Sequence, residues 1–109
     1  MIEIGLTQEQ KNLICTVLKK YPAVDMIKLY GSRAKGCFND RSDIDLVAYG
    51  KNLDRFIITK ILLDFDDLDI PFIIELQEYK NIKNKDLREH IDRVGIIFYK
   101  RPDIGKELQ

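Results

Sequence analysis

The chain has 109 residues, 18 of them basic and 18 acidic, so its formal net charge at pH 7 is zero. That length reads as one domain, residues 1–109, with enough chain to bury about two-thirds of its unfolded surface around a single sheet-and-helix core. The cancelled charge excludes the broad positive field of a general nucleic-acid binder, so no direct nucleic-acid binding is expected and any basic patch is local.

In chain order, residues 6–21 read as a helix. Thr7 and Gln10 have capping-box spacing. Leu13, Ile14, Val17, Leu18 and Tyr21 recur with the helical period. Lys19 and Lys20 suit the negative end of the dipole, and Pro22 stops the element. Residues 24–30 read as a strand running into Gly31-Ser32-Arg33-Ala34-Lys35-Gly36. Gly31 permits a sharp exit with the backbone close to a ligand. Ser32 is placed to cap a short helix, whose free N–H groups face an anion. Arg33, Lys35 and Arg41 add positive charge. Backbone donors, a hydroxyl and cations are what a phosphate group needs, so Gly31, Ser32, Arg33 and Lys35 are the candidate phosphate-binding residues.

Ser42-Asp43-Ile44-Asp45-Leu46-Val47 follows. With a period of two, Asp43, Asp45 and Val47 share one face of a strand, and Ile44 and Leu46 share the other. Two carboxylates on one face repel at pH 7 unless a divalent cation neutralises them. A phosphate loop beside paired carboxylates is suited to a metal–nucleotide complex.

Residues 49–52 read as a turn, with Asn52 the expected cap of a helix running to about residue 65. Its apolar residues exceed a narrow stripe, so it is expected to cover the sheet and also meet other elements or a partner. Asp64, Asp66, Asp67 and Asp69 read as a charged helix end rather than a second metal site. Residues 72–77 read as a strand in which Phe72, Ile74 and Leu76 share one face and Ile73, Glu75 and Gln77 the other. A lone carboxylate in so apolar a run needs a reason; the plain alternative is an edge residue facing water. Residues 79–85 are polar and read as a loop or a single helical turn. Asn84 is expected to cap a helix to residue 94, with Gly95 as its stop. His90, the sole histidine, falls at the edge of that helix's apolar face and reads as structural or exposed. Residues 95–99 form a last apolar strand, and 100–109 a polar tail. Cys15 and Cys37 have no metal-ligand spacing and read as two reduced thiols. No apolar run approaches the roughly 18 residues of a membrane span. The opening residues lack the charged and apolar regions of a signal peptide, so the cytoplasm is the expected location.

The Gly31-Ser32 pair followed by Asp43-x-Asp45 resembles the signature of the DNA polymerase β-like nucleotidyltransferase superfamily. The longer string from Gly31 to Val47, with Leu87-Arg88-Glu89-His90-Ile91-Asp92-Arg93-Val94-Gly95, is similar to its small branch, the minimal nucleotidyltransferases. The resemblance spans about residues 6–99. It implies an α/β (α+β) fold: a mixed sheet with helices chiefly on one face and the carboxylates on the other. It also implies a third metal-binding carboxylate on a strand beside Asp43 and Asp45, a position that Glu75 matches, although aspartate is more usual there.

The resemblance further implies a Mg²⁺-dependent nucleotidyltransferase, with two ions held by Asp43, Asp45 and Glu75 and ATP as substrate. In that branch AMP goes to a tyrosine of a HEPN-type toxin, and the transferase is the antitoxin. Two other readings stand beside this one. The chain is a nucleotide-binding module that silences its partner by docking, which the glutamate at 75 favours. Or it is a subunit that modifies a small molecule such as an antibiotic, its acceptor site completed by another chain. The apolar second helix is compatible with a homo-oligomer or a partner face.

Overall fold

The computed structural model describes residues 4–39 and 41–102. The expected polar tail lies mostly at 103–109, outside the described residues, as do residues 1–3 of the opening segment. The first helix, α1 (Gln8–Lys19), begins at the predicted capping box: Thr7 accepts from the Gln10 amide, and Gln10 accepts from the Thr7 amide, both at 3.0 Å. The strand β1 (Met26–Tyr30) runs directly into the short helix α2 (Gly31–Lys35). Next come β2 (Ile44–Tyr49), α3 (Arg55–Asp66) and β3 (Ile74–Glu78), then a single 3₁₀ turn, α4 (Lys85–Val94) and β4 (Ile96–Lys100).

Of two later helix starts, one follows the sequence reading and one departs from it. Asn84 caps α4 as expected, accepting from the Leu87 amide at 3.1 Å. The cap of α3 is Asp54, which accepts from the Ile57 amide at 2.9 Å, and not Asn52. Both side chains can cap; Asn52 is spent in the turn that precedes the helix.

The sheet order is β3-β2-β1-β4. Antiparallel pairs join β1 to β2 and β1 to β4, whereas β2 and β3 are parallel and need α3 as their crossover. One sheet face is covered by α1 and α3. Ile14 and Leu18 of α1 and Ile61 of α3 are fully buried there against Ile27, Ile44 and Leu46. Tyr21 at the end of α1 donates a hydrogen bond to Asp64 of α3, and Lys20 pairs with the same carboxylate at 3.2 Å, so part of the acidic helix end ties the two helices together.

The opposite face carries α4 and the 3₁₀ turn that precedes it. Ile91 packs there with Tyr30, Val47 and Ile82 in a second, smaller cluster. The rest of that face, toward Asp43, is where Asp45 and Glu75 stand. An irregularity in the β1–β4 register pairs Ile27 with Tyr99 and Lys28 with Ile97, which turns both Phe98 and Tyr99 inward and leaves Ile97 outward. Both cysteines are free. No helix among the described residues is long and apolar enough to cross a membrane.

Not all of the apolar surface of α3 is used: Ile61 is 0% exposed and Phe56 67%. Ile61→Ala is therefore expected to lower the unfolding free energy by about 2–5 kcal/mol, and Phe56→Ala to change it by about 0.5 kcal/mol or less. Urea denaturation of the two variants checks the contrast.

Candidate active site

The parallel register places Asp45 of β2 directly beside Glu75 of β3. Their carboxyls lie within hydrogen-bonding reach, and Asp45 is pushed up to about 6, first by burial, then by Glu75, then by the charge of Asp43, with Arg33 opposing. Two carboxyls bond to each other only with a proton between them, so at lower pH a proton does what a cation would do at higher pH. The donors are all oxygen, the set that suits a hard divalent ion. Asp43 precedes β2 by one residue and shares the face by alternation. It is less closely gathered: among the described residues no three acidic, histidine or cysteine side chains stand close enough together to hold a metal ion. Of the three expected ligands, then, Asp45 and Glu75 meet and Asp43 reaches Asp45 through its field.

Beside this pair the chain turns at Gly31, with φ +77°, a left-handed conformation that disfavours any side chain. Space demands glycine too, because a Cβ there would lie 2.3 Å from the Asp45 Oδ2. The sequence expectation was a close approach to ligand; the structure shows a close approach to the carboxylate. Nor is the Gly31 amide free, since it donates to His90 Nε2 at 3.2 Å. Ser32 does not cap α2. Tyr30 occupies the cap position without a side-chain bond, and Ser32 lies inside the helix, partly exposed.

The structure gives Arg33 a different job from the one expected of it. It is 1% exposed. Nε and Nη2 donate to the Ser42 carbonyl at 3.2 and 2.8 Å, and Nη1 donates to the Ile4 carbonyl at 2.9 Å. The guanidinium carbon lies 4.4 Å from the Phe72 ring centre and 5.2 Å from that of Phe38. Burial lowers its pKa, and the fields of Asp43 and Asp45 partly restore it. Its donors are spent on carbonyls, so Arg33 fixes the loop that delivers Asp43. Lys35 is exposed and is the cation of this segment that solvent can reach.

Three residues near the site escaped the sequence reading. Tyr30 lies opposite Asp45 in the β1–β2 register, and its hydroxyl accepts from Gln77 Nε2 at 3.0 Å. The sequence places Gln77 on the face of Glu75, two residues on along the strand, but gives it no role. His90, read as structural or exposed, touches the Gly31 turn, 59 residues away in sequence. Only the packing of α4 brings it there. That helix is held by Tyr79, whose hydroxyl donates to Asp92 at 2.8 Å and whose ring stacks on Tyr49 and under Arg88.

The family model for polymerase beta nucleotidyltransferases matches residues 12–104. Solved structures share the fold at low identity. One, a toxin–antitoxin complex with AMP-PNP, is 20% identical with a TM-score of 0.68, over 90% of this chain and 78% of that one. Another, a tri-AMPylated Shewanella oneidensis HEPN toxin with its MNT antitoxin, is 19% identical with a TM-score of 0.59, over 94% and 79%. A third, a nucleotidyltransferase-like protein from Sulfolobus solfataricus, is 23% identical with a TM-score of 0.52, over 84% and 77%. No curated protein matches the chain.

Two outcomes follow from the geometry. Arg33→Lys cannot bond two carbonyls in a fixed fork, and it is expected to cost about 2 kcal/mol of stability in denaturant melts, while Lys35→Ala, an exposed change, stays within about 0.5 kcal/mol. The raised Asp45 pKa means the folded state keeps a proton that the unfolded state has lost, so this group's contribution to stability is full below the ordinary carboxylate value of 3.8 and is lost as pH rises through about 6. Asp45→Asn is therefore expected to raise the melting midpoint of the metal-free protein by roughly 5 °C at neutral pH, with the gain fading below about pH 4. Calorimetric scans in chelator across that range measure it.

Proposed function

The chain belongs to the polymerase beta nucleotidyltransferase family, and from that premise we propose that it moves AMP from ATP to a tyrosine hydroxyl of a HEPN-type toxin partner, acting as an antitoxin. The observation that carries this reading is the meeting of Asp45 and Glu75 across the parallel pair, hard against the Gly31 turn. Two neighbours in fold support the nucleotide and the partner: one holds AMP-PNP, and the other pairs an AMPylated HEPN toxin with an MNT antitoxin.

In this reading the chain is a single cytoplasmic domain whose acceptor is brought by the partner. Asp45 and Glu75, with Asp43 from the start of β2, are the residues to hold Mg²⁺, as two ions. Bound there, magnesium supplies the charge that stabilises the entering and leaving oxygens of an in-line displacement. The chain's own residues do the rest. The Ser32 hydroxyl and the Lys35 amine bind the β- and γ-phosphates, and Gly31 leaves room beside Asp45. Arg33 holds the loop. Glu75, the more exposed carboxylate of the pair, accepts the proton of the attacking hydroxyl. The acceptor oxygen bonds to the α-phosphorus as the bond to the bridging oxygen breaks, and pyrophosphate leaves.

Docking without transfer is the second reading. Two observations favour it: Glu75 is one methylene longer than aspartate, and Asp43 is not gathered with the other two carboxylates.

The test mixes the chain with the product of the neighbouring gene as candidate toxin, ATP and Mg²⁺. Transfer predicts the mass of one or more AMP groups on the toxin, abolished by chelator and reduced about a hundredfold or more by Asp45→Asn. A tight complex with no added mass supports docking instead. Calorimetric Mg²⁺ titrations are expected to show uptake that weakens as pH falls through about 6, where Asp45 keeps its proton.

A further inference from the structure

The Gly31 turn is the tightest point of the site, and what fixes it comes from the far end of the chain. The left-handed glycine has no side chain to lock it. Tyr30 at the cap position makes no side-chain bond to the helix. The Gly31 amide is instead satisfied by His90 Nε2 at 3.2 Å. The His90 ring stands edge-on to Tyr30, 6.2 Å between ring centres, and the Tyr30 hydroxyl is held by Gln77 from the Glu75 strand. Gln77, Tyr30, His90 and Gly31 thus link the carboxylate strand to the phosphate turn.

We propose that His90 is a positioning residue: by accepting a hydrogen bond from the Gly31 amide at Nε2, it holds the turn in the left-handed form that sets Gly31 hard against Asp45, and so governs how tightly the site takes a triphosphate.

An Nε2 that accepts a proton carries none, so the ring is neutral with its hydrogen on Nδ1. The surroundings favour that form. Burial lowers the His90 pKa first, and the positive charges of Lys35 on α2 and Arg93 on α4 lower it further. The helix is not free to withdraw the ring, because Ile91, the next residue, is fully buried and Arg88 donates to the Ile82 carbonyl at 3.1 Å. Without the acceptor, the Gly31 amide would turn to water and the glycine would regain its other conformations.

This inference rests on the nucleotidyltransferase reading for its second half only. The variants separate the two ring nitrogens. In His90→Gln the side-chain oxygen reaches about as far as Nε2, in His90→Asn only about as far as Nδ1, and His90→Phe keeps the ring and removes the acceptor. Amide hydrogen exchange at Gly31, followed by NMR without nucleotide, reads the bond directly. Equilibrium binding of ATP with Mg²⁺ reads its consequence, and melting midpoints check that the variants fold.

The expected result is about tenfold faster exchange at Gly31 and about tenfold weaker ATP binding in His90→Phe and His90→Asn, both restored in His90→Gln. Unchanged exchange at Gly31 in His90→Phe overturns the positioning role and leaves the nucleotidyltransferase reading intact. So does a His90→Gln variant no better than His90→Asn. Faster exchange with unaltered ATP affinity overturns the claim that the turn governs binding. A wild-type chain that takes up no ATP removes the functional reading, and the affinity claim with it.

Discussion

The parallel pairing of β2 with β3 is the constraint on which the site depends. A parallel register is set by a crossover, here α3, and not by a tight turn, so nothing local fixes it. The burial of Ile58, Ile61 and Phe65 against the sheet does the fixing. A slip of one residue would send Glu75 to the covered face and bring Ile74 or Leu76 into its place. Hydrophobic packing on one side of the sheet thus decides whether two carboxyls meet on the other. With both carboxyls ionised the meeting is unfavourable: Asp45 is pushed up first by burial and then by Glu75, and the core holds the pair together against that cost.

Charge in this molecule is divided between two tasks. Arg33 is turned inward, wedged between Phe38 and Phe72, and its donors fasten the carbonyls of Ile4 and Ser42. It makes the loop stiff at the cost of being unavailable to a ligand. A planar fork of donors suits that task, and a lysine would not. Lys35 remains in solvent two residues later, where an anion can meet it without a buried charge being moved. The same short helix therefore carries one cation turned to the interior and one left in solvent.

Among the described residues the second face of the sheet is only half covered, and this asymmetry leaves room beside the carboxylates. The cluster of Tyr30, Val47, Ile82 and Ile91 seats α4 over one half, and the aromatic stack at Tyr49 and Tyr79 anchors its underside. The other half stays open around Asp45 and Glu75. His90 lies on α4 where the two halves meet, which is why a helix that reads as simple packing contributes to the Gly31 turn.

The amino-acid sequence determined what depends on periodicity and on local hydrogen bonding. The helix of Gln8–Lys19 and its capping box, the alternation that sets Asp43 and Asp45 on one face, the family signature and the shared face of Glu75 and Gln77 are all properties of neighbours in the chain. Sequence erred where two residues of equal local aptitude competed, as Asn52 and Asp54 did for the α3 cap. It also erred where side-chain direction was at issue, as when Arg33 in a basic loop turned out to point inward. Only the tertiary structure decided that Gly31 must be glycine to clear Asp45, that Arg33 is internal, and that His90 reaches a turn 59 residues away. The reason is physical: burial and long-range register are set by how whole faces pack, and no stretch of a few residues contains that information.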